Sequence, residues 1–161
     1  MKLVLDASAF LSGRLNSIPE DFEKVITATS VKKEVNRGNP GRLISNLMAT
    51  GLEILDPSSR NAAIEAANKT GDMGELSPAD LDIISISVEL GDVVVMTDDF
   101  RIQNVLESLG ISFIPAGEIG DRAIEKRWSW SYRCRGCGRY YEKKFENCPI
   151  CGSDLKKTRK K

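Results

Sequence analysis

No histidine occurs anywhere in this 161-residue chain. That absence removes the commonest general base and excludes Ser-His-Asp and Cys-His nucleophilic catalysis, so any reaction must run on carboxylates, metal ions or both. Cysteine is missing from everything before Cys134. The opening MKLVLDASAF holds one lysine and too short an apolar run for a signal peptide, and no apolar segment reaches the roughly 18 to 20 residues of a membrane span. A cytoplasmic protein with no membrane partner is expected. No G-x-G-x-x-G follows the first apolar run, which argues against a dinucleotide-binding domain. There is no internal repeat, and the one low-complexity stretch is the closing KKTRKK.

What is present suits a globular protein. Apolar residues make up 41% of the chain, enough for one ordinary domain with a small appendage. The formal net charge of zero conceals a split. Residues 1–120 carry 10 Lys+Arg against 18 Asp+Glu, and residues 121–161 carry 13 against 5. An acidic body thus precedes a basic end of the kind that contacts polyanions.

Short apolar runs at Lys2 to Leu5 and Val93 to Met96 read as buried strands, with further strands around Val25 to Thr27, Leu52 to Leu55 and Ile111 to Ile114. Helical patterns fall at Glu20 to Lys24, Ser30 to Arg37, Arg42 to Thr50, Ser59 to Lys69, Ala79 to Leu90 and Ile102 to Leu109. Gly51, Gly71, Gly91 and Gly110 stand where C-caps belong. Alternating strands and helices predict an α/β domain, a central parallel sheet flanked by helices, over 1–120. A linker helix is expected over 121–128, a cysteine-bearing unit over 129–155 and a flexible basic tail over 156–161.

Cys134-x-x-Cys137 and Cys148-x-x-Cys151 form two knuckles whose thiolates can converge on one tetrahedral Zn²⁺. A redox pair has no need of a second matching pair. Gly138 and Gly152 follow the second cysteine of each knuckle, where a tight turn is needed. Four protein sulfurs leave no open coordination position, so one structural zinc is predicted, stabilising a unit too small to fold on its own core. Arg133, Arg135, Arg139, Lys143 and Lys144 are interleaved with aromatic residues. Cations for phosphates and rings for unpaired bases suit single-stranded or irregular RNA, although some of the rings must build the ribbon's own small core.

In open α/β sheets ligands collect beyond the carboxyl ends of strands, and acids stand there: Asp6 after the first run, Asp98 and Asp99 after Val93 to Met96. If the two strands are neighbours, these acids meet, and clustered carboxylates call for a hard cation such as Mg²⁺ or Mn²⁺. Glu34 falls beside the Val31/Val35 stripe and can look toward the sheet or lie on a solvated face. Asp80 shares a face with Ile83 and Ile84 and is expected to point inward more than Asp82. Ser77-Pro78-Ala79-Asp80 is also a capping box, and Asp98 could serve as an N-cap.

Together, Asp6 in VLDASAF, Glu34 in VKKEV, Asp80 in LSPADLDIISIS and the TDDF of residues 97–100 resemble a PIN-domain endoribonuclease. KTGDMGELSPAD, TDDFRIQNVLESLGI and a four-cysteine ribbon opening YRCRGCG are similar to the Nob-type (Nin-one-binding) subfamily in its short archaeal-type form. That resemblance implies a PIN-like sheet plus zinc ribbon, and a metal-dependent endoribonuclease that cleaves precursor small-subunit ribosomal RNA near its mature 3′ end. Asp6, Glu34, Asp80 and Asp99, with Asp98 as second choice, then hold catalytic Mg²⁺ or Mn²⁺, and Ser8 and Thr97 support the site. The implied partners are the pre-rRNA and the pre-ribosomal particle, with an RNA-binding assembly factor as a further candidate. Two other readings stay open beside it: a catalytically silent RNA-binding factor, and a phosphatase with an aspartyl nucleophile. The latter would want a second aspartate at position 8, where Ser8 stands.

Overall fold

A computed structural model describes residues 1–116, 130–141 and 145–159; the expected linker helix 121–128 and residues Lys143 and Lys144 lie outside these. The chain divides into two compact units, Met1–Ala123 and Ile124–Lys161.

The first unit is built on β1 (Lys2–Leu5), β2 (Lys24–Ala28), β3 (Leu52–Leu55), β4 (Val93–Met96) and β5 (Ser112–Ile114). All pair in parallel in the order β3-β2-β1-β4-β5. Leu3, Val4 and Leu5 are fully buried and every residue of β4 is buried, the mark of strands covered on both faces. The helices are α1 (Ala7–Leu11), α2 (Thr29–Glu34), α3 (Gly38–Thr50), α4 (Asn61–Thr70), α5 (Pro78–Leu90) and α6 (Phe100–Leu109). Gly51, Gly71, Gly91 and Gly110 occupy helix C-caps with positive φ, a conformation that costs glycine least.

The strand order reverses direction once. The chain steps outward from β1 through β2 to β3, then returns to β4 on the other side of β1 and continues to β5. Such a switch point opens a crevice beyond the carboxyl ends of β1 and β4. Three helices start at that edge, because α1 follows β1 after one residue, α2 follows β2 directly and α6 follows β4 after three. Helix α5 ends two residues before β4 begins. Its 13 residues span about 20 Å at roughly 1.5 Å each, so its start is delivered back to the same edge. Leu81, Ile83, Ile84 and Ile86 of α5 are buried together with Asp82, Ser85 and Ser87, which makes it a central helix enclosed nearly all round.

Several sequence expectations are corrected. Glu20 to Lys24 is no helix: residues 20–23 form turn and bend, and Lys24 already pairs with Lys2 at the start of β2. The β-branched KVITA segment, held to β1, outweighs the weak local helical pattern. Helix α1 was not expected; five residues are too few for a periodic signal. Helix α2 stops at Glu34, and α3 begins at Gly38, with Pro40 tolerated in its first turn. In the second unit β6 (Trp130–Cys134) is central between β7 (Tyr140–Tyr141) and β8 (Leu155–Arg159), both antiparallel to it. The expected free tail from Lys156 is therefore a strand as far as Arg159, because the exposed edge of β6 offers it a ladder beginning at Cys134↔Leu155.

Gly41 lies inside α3, where exchange for alanine ordinarily favours a helix by about 1 kcal/mol. Here an added Cβ would stand 2.5 Å from the Asn36 carbonyl oxygen. Gly41→Ala is therefore expected to destabilise the first unit by about 1 to 3 kcal/mol, read from chemical denaturation; a rise in stability would contradict the close approach of α3 to Asn36.

Candidate active site and metal centre

Asp6 joins β1 to α1 and is 3% exposed. A carboxylate this deep must be matched by donors, and they converge on one oxygen. Oδ2 accepts from the Ser8 hydroxyl at 2.9 Å, the Thr97 hydroxyl at 2.9 Å and the Ser8 backbone N–H at 3.4 Å. Each hydroxyl is oriented in turn. Ser8 Oγ accepts from the N–H of Asp98 at 3.0 Å, and Thr97 Oγ1 from the N–H of Asp99 at 3.1 Å. The two hydroxyl protons are thereby committed to Asp6 Oδ2. With all of these donors on Oδ2, Oδ1 is the oxygen left to face a cation.

The tandem aspartates separate. Asp98 Oδ1 accepts from the Ala116 backbone N–H at 2.8 Å, tying the end of β4 to the chain beyond β5. Asp99, not Asp98, caps α6, its Oδ1 accepting from Arg101 N–H at 2.8 Å. The charge of Asp99 is felt by Asp80, where burial raises the carboxyl pKa, the Ser77 hydrogen bonds lower it, and the Asp6 and Asp99 charges raise it again; the net shift is upward. The Ser77/Asp80 capping box is fully formed, at 2.7 Å and 3.2 Å. Glu34, the last residue of α2, is also pushed above the usual carboxylate range, first by desolvation and then by the charges of Asp80 and Asp6. Asp6, Glu34, Asp80 and Asp99 thus form one electrostatically coupled group, and none of these shifts involves a basic side chain. Asp98 is not among the causes of the Glu34 and Asp80 shifts.

The relative depth of Asp80 and Asp82 is opposite to the sequence expectation. Asp82 is 4% exposed, whereas Asp80 is half-buried, because the face carrying Asp82 is closed over by α2 and α4. Asp82 accepts from Ser30 Oγ at 2.7 Å and from Arg60 Nε at 2.5 Å. Burial pushes its carboxyl up, but these hydrogen bonds and the Arg60 charge outweigh it and hold the pKa below the ordinary value. The trio fastens α2, which bears Glu34, to α5, which bears Asp80. Gln103 plays a similar part for β4, donating from Nε2 to the Thr97 carbonyl at 2.9 Å. A polar residue two places from a candidate ligand is the only signal the sequence gives for Asp82.

In the second unit the four cysteines are free of disulfides, and their sulfurs all lie within 4.8 Å of one another. The Cys134–Cys151 and Cys137–Cys148 pairs stand at 3.3 Å and 3.7 Å, close to the sulfur–sulfur edge of about 3.8 Å that follows from Zn–S bonds of about 2.3 Å in a tetrahedron. Gly138 and Gly152 both have φ +73°, and their N–H groups close the knuckles on the carbonyls of Cys134 and Cys148. Tyr141 approaches Cys148 Sγ at 3.1 Å and packs edge-on against the exposed Phe145; the buried residues of the unit, among those described, are Cys134 and Cys148. Arg133, Arg135 and Arg139 are exposed, and Arg133 lies 5.8 Å from the Tyr140 ring centroid. Among the described residues the cysteines are the one group of three or more ligating side chains drawn together closely enough to hold an ion outright. The carboxylates stand more openly, an arrangement suited to Mg²⁺, which keeps several of its waters and is commonly held by one or two carboxylates plus substrate phosphates.

A raised carboxyl pKa means that the folded state disfavours the charged form. The cost is absent below the free value of 4.5 and fully present above the folded value. Glu34→Gln is accordingly expected to raise the melting temperature at pH 7 in chelator, with the gain closing as pH falls below 4.5 and with added Mn²⁺; a variant less stable than wild type at pH 7 in chelator would contradict the coupling.

Residues 3–90 match the family model described as the PIN domain of ribonuclease. The chain is 38% identical over 99% of its length to endoribonuclease Nob1 of Methanothermobacter thermautotrophicus, covering 94% of that protein. It is 42% identical over 94% of its length to endoribonuclease Nob1 of Archaeoglobus fulgidus, covering 87% of it. It is also 32% identical over 98% of its length to ribonuclease VapC1 of Thermoplasma acidophilum, covering 78% of that protein. The family match over residues 3–90 and the near full-length similarity agree: the chain belongs to the PIN-domain ribonuclease family, alongside the archaeal Nob1 endoribonucleases.

Proposed function

We propose that this protein is a divalent-metal-dependent endoribonuclease that cleaves precursor small-subunit ribosomal RNA near its mature 3′ end, presented on the pre-ribosomal particle. The cleavage of RNA rests on its family and on relatives named endoribonucleases. The observation that carries the metal dependence is the action of the Asp6, Asp80 and Asp99 charges on Glu34 and Asp80 near the β1/β4 switch point, with no basic side chain among the causes of either shift. When bound there, Mg²⁺ or Mn²⁺ supplies charge neutralisation, polarises the scissile phosphate and lowers the pKa of water, which substitutes for the missing histidine. Asp6 is the anchor, since Ser8 and Thr97 fix its Oδ2 and leave Oδ1 without a share in those bonds. Asp99 is held by the N-terminus of α6, and Asp80 by Ser77. Asp98 has a structural task at Ala116.

The second unit binds one structural Zn²⁺ through Cys134, Cys137, Cys148 and Cys151. Its exposed Arg133, Arg135 and Arg139 and the 61%-exposed Tyr140 hold the RNA, with Lys143 and Lys144 in the same short segment of sequence. Two residues after Glu34 in the chain, Asn36 joins Gly38, Gly41, Arg42, Ser45 and Asn46 in lining an open polar cavity of about 530 Å³, a surface compatible with a polyanion. An RNA-binding assembly factor is a natural partner for presenting the cleavage site. Among the described residues no helix is long and apolar enough to cross a membrane.

Two tests separate the parts. An RNA spanning the 3′ boundary of small-subunit rRNA, incubated with Mn²⁺ or Mg²⁺, is expected to be cut at a defined position. Asp6→Asn should slow the cut by on the order of 100-fold or more, and chelator should abolish it. Equal rates for wild type and Asp6→Asn would leave only the silent RNA-binding reading. Cys148→Ser is expected to lose the single equivalent of zinc seen by native mass spectrometry while the helical circular dichroism persists; retention of zinc would refute the four-sulfur site.

A further inference from the structure

Four aromatic side chains occur in residues 1–116, and three have an evident place in the fold. Phe10 is 1% exposed, and Phe22 and Phe113 are half-buried. Phe100 is 77% exposed. It stands at the first position of α6, off the stripe of Ile102, Val105 and Leu106 that buries this helix, so the fold gains nothing from a ring there. Leu11 and Met48 are exposed too, but isolated aliphatic side chains on a surface need no explanation. Phe100 differs in its address, directly after Asp99.

The backbone on both sides of that ring is held. Asp99 N–H donates to Thr97 Oγ1 at 3.1 Å, Asp99 Oδ1 accepts from Arg101 N–H at 2.8 Å, and Gln103 N–H donates to the Asp99 carbonyl at 3.0 Å. The Arg101 guanidinium reaches Glu75 at 3.4 Å. Each neighbour of Phe100 is thus engaged within the body, while the exposed ring projects from a fixed root directly after Asp99, whose charge acts on Asp80. An aromatic face offered at a nucleic-acid site stacks on an unpaired base, and does so with little regard to sequence because every base has a π-face.

We propose that Phe100 is a stacking platform for one unpaired base of the RNA strand, adjacent to the scissile phosphate, and that it positions the strand over the carboxylates. This rests on the endoribonuclease reading. The preference it confers follows stacking strength, purine above pyrimidine, and no hydrogen-bond pattern.

The test uses the full chain, in chelator so that no cleavage intervenes, with single-stranded RNAs carrying 2-aminopurine at successive positions across the cut. At one or two adjacent positions binding is expected to quench the fluorescence beyond the free RNA. Phe100→Leu should lose that quench and Phe100→Trp should restore it. In Mn²⁺, Phe100→Leu is expected to raise KM by roughly ten-fold, in contrast to the loss of turnover in Asp6→Asn. No quench at any position, a quench that survives Phe100→Leu, or an unchanged KM overturns the proposal. So does a fall in melting temperature in Phe100→Leu with the quench intact, which would mark a packing role. The quench is read without cleavage, so the platform can fail while Asp6→Asn still abolishes cutting, and inactivity of the wild-type protein would instead strike the nuclease reading.

Discussion

The hydrogen bonds that fall on one oxygen of Asp6 hold the site together. Parallel pairing of β1 with β4 brings Leu5 opposite Met96, so the residues after each strand emerge side by side. The Ser8 hydroxyl then bridges Asp6 to Asp98 N–H, and the Thr97 hydroxyl bridges it to Asp99 N–H. Two short side chains thereby fix Asp6, Asp98 and Asp99 relative to one another. The other oxygen of this buried carboxylate takes none of these donors, which is what the proposed metal site asks of it.

That arrangement is costly to the apo protein. Glu34 is held above its ordinary pKa by burial and by the charges of Asp80 and Asp6, and Asp80 by burial and by the charges of Asp6 and Asp99. The body that carries them is already acidic. The fold offsets the strain with neutral and cationic contacts placed one step away. The capping box holds Asp80, while Ser30, Asp82 and Arg60 lock α2 to α5 at a distance from the coupled charges. Function and stability are in opposition at the carboxylates and in agreement around them, a pattern expected where a cation completes the structure.

Much of this was legible from sequence because it lies in strong periodic or spacing signals. Lys2 to Leu5 and Val93 to Met96 are continuous apolar runs, and acids directly after them could be placed at strand ends. The cysteine knuckles are a spacing that few alternatives explain. What escaped was set by tertiary context. Asp82 lies deeper than Asp80 because α2 and α4 cover a face that α5's own sequence leaves polar. The five residues of α1 are too short to show a period, and the KVITA strand absorbs the end of an apparent helix at Glu20 to Lys24. The basic segment after Leu155 reads as a tail, yet pairs with β6 because that edge is open to it. The separation of Asp98 from Asp99 depends on Ala116, a partner 18 residues on that no local pattern reveals.

The central claim is that the coupled carboxylates share a divalent ion, and anomalous scattering measured at the manganese edge from a crystal soaked in Mn²⁺ tests it most directly. The account predicts a peak in bonding distance of Asp6 Oδ1, with Asp80, Asp99 or Glu34 turned toward it. Occupied Mn²⁺ elsewhere on the acidic body, with no density beside Asp6 Oδ1, would contradict it.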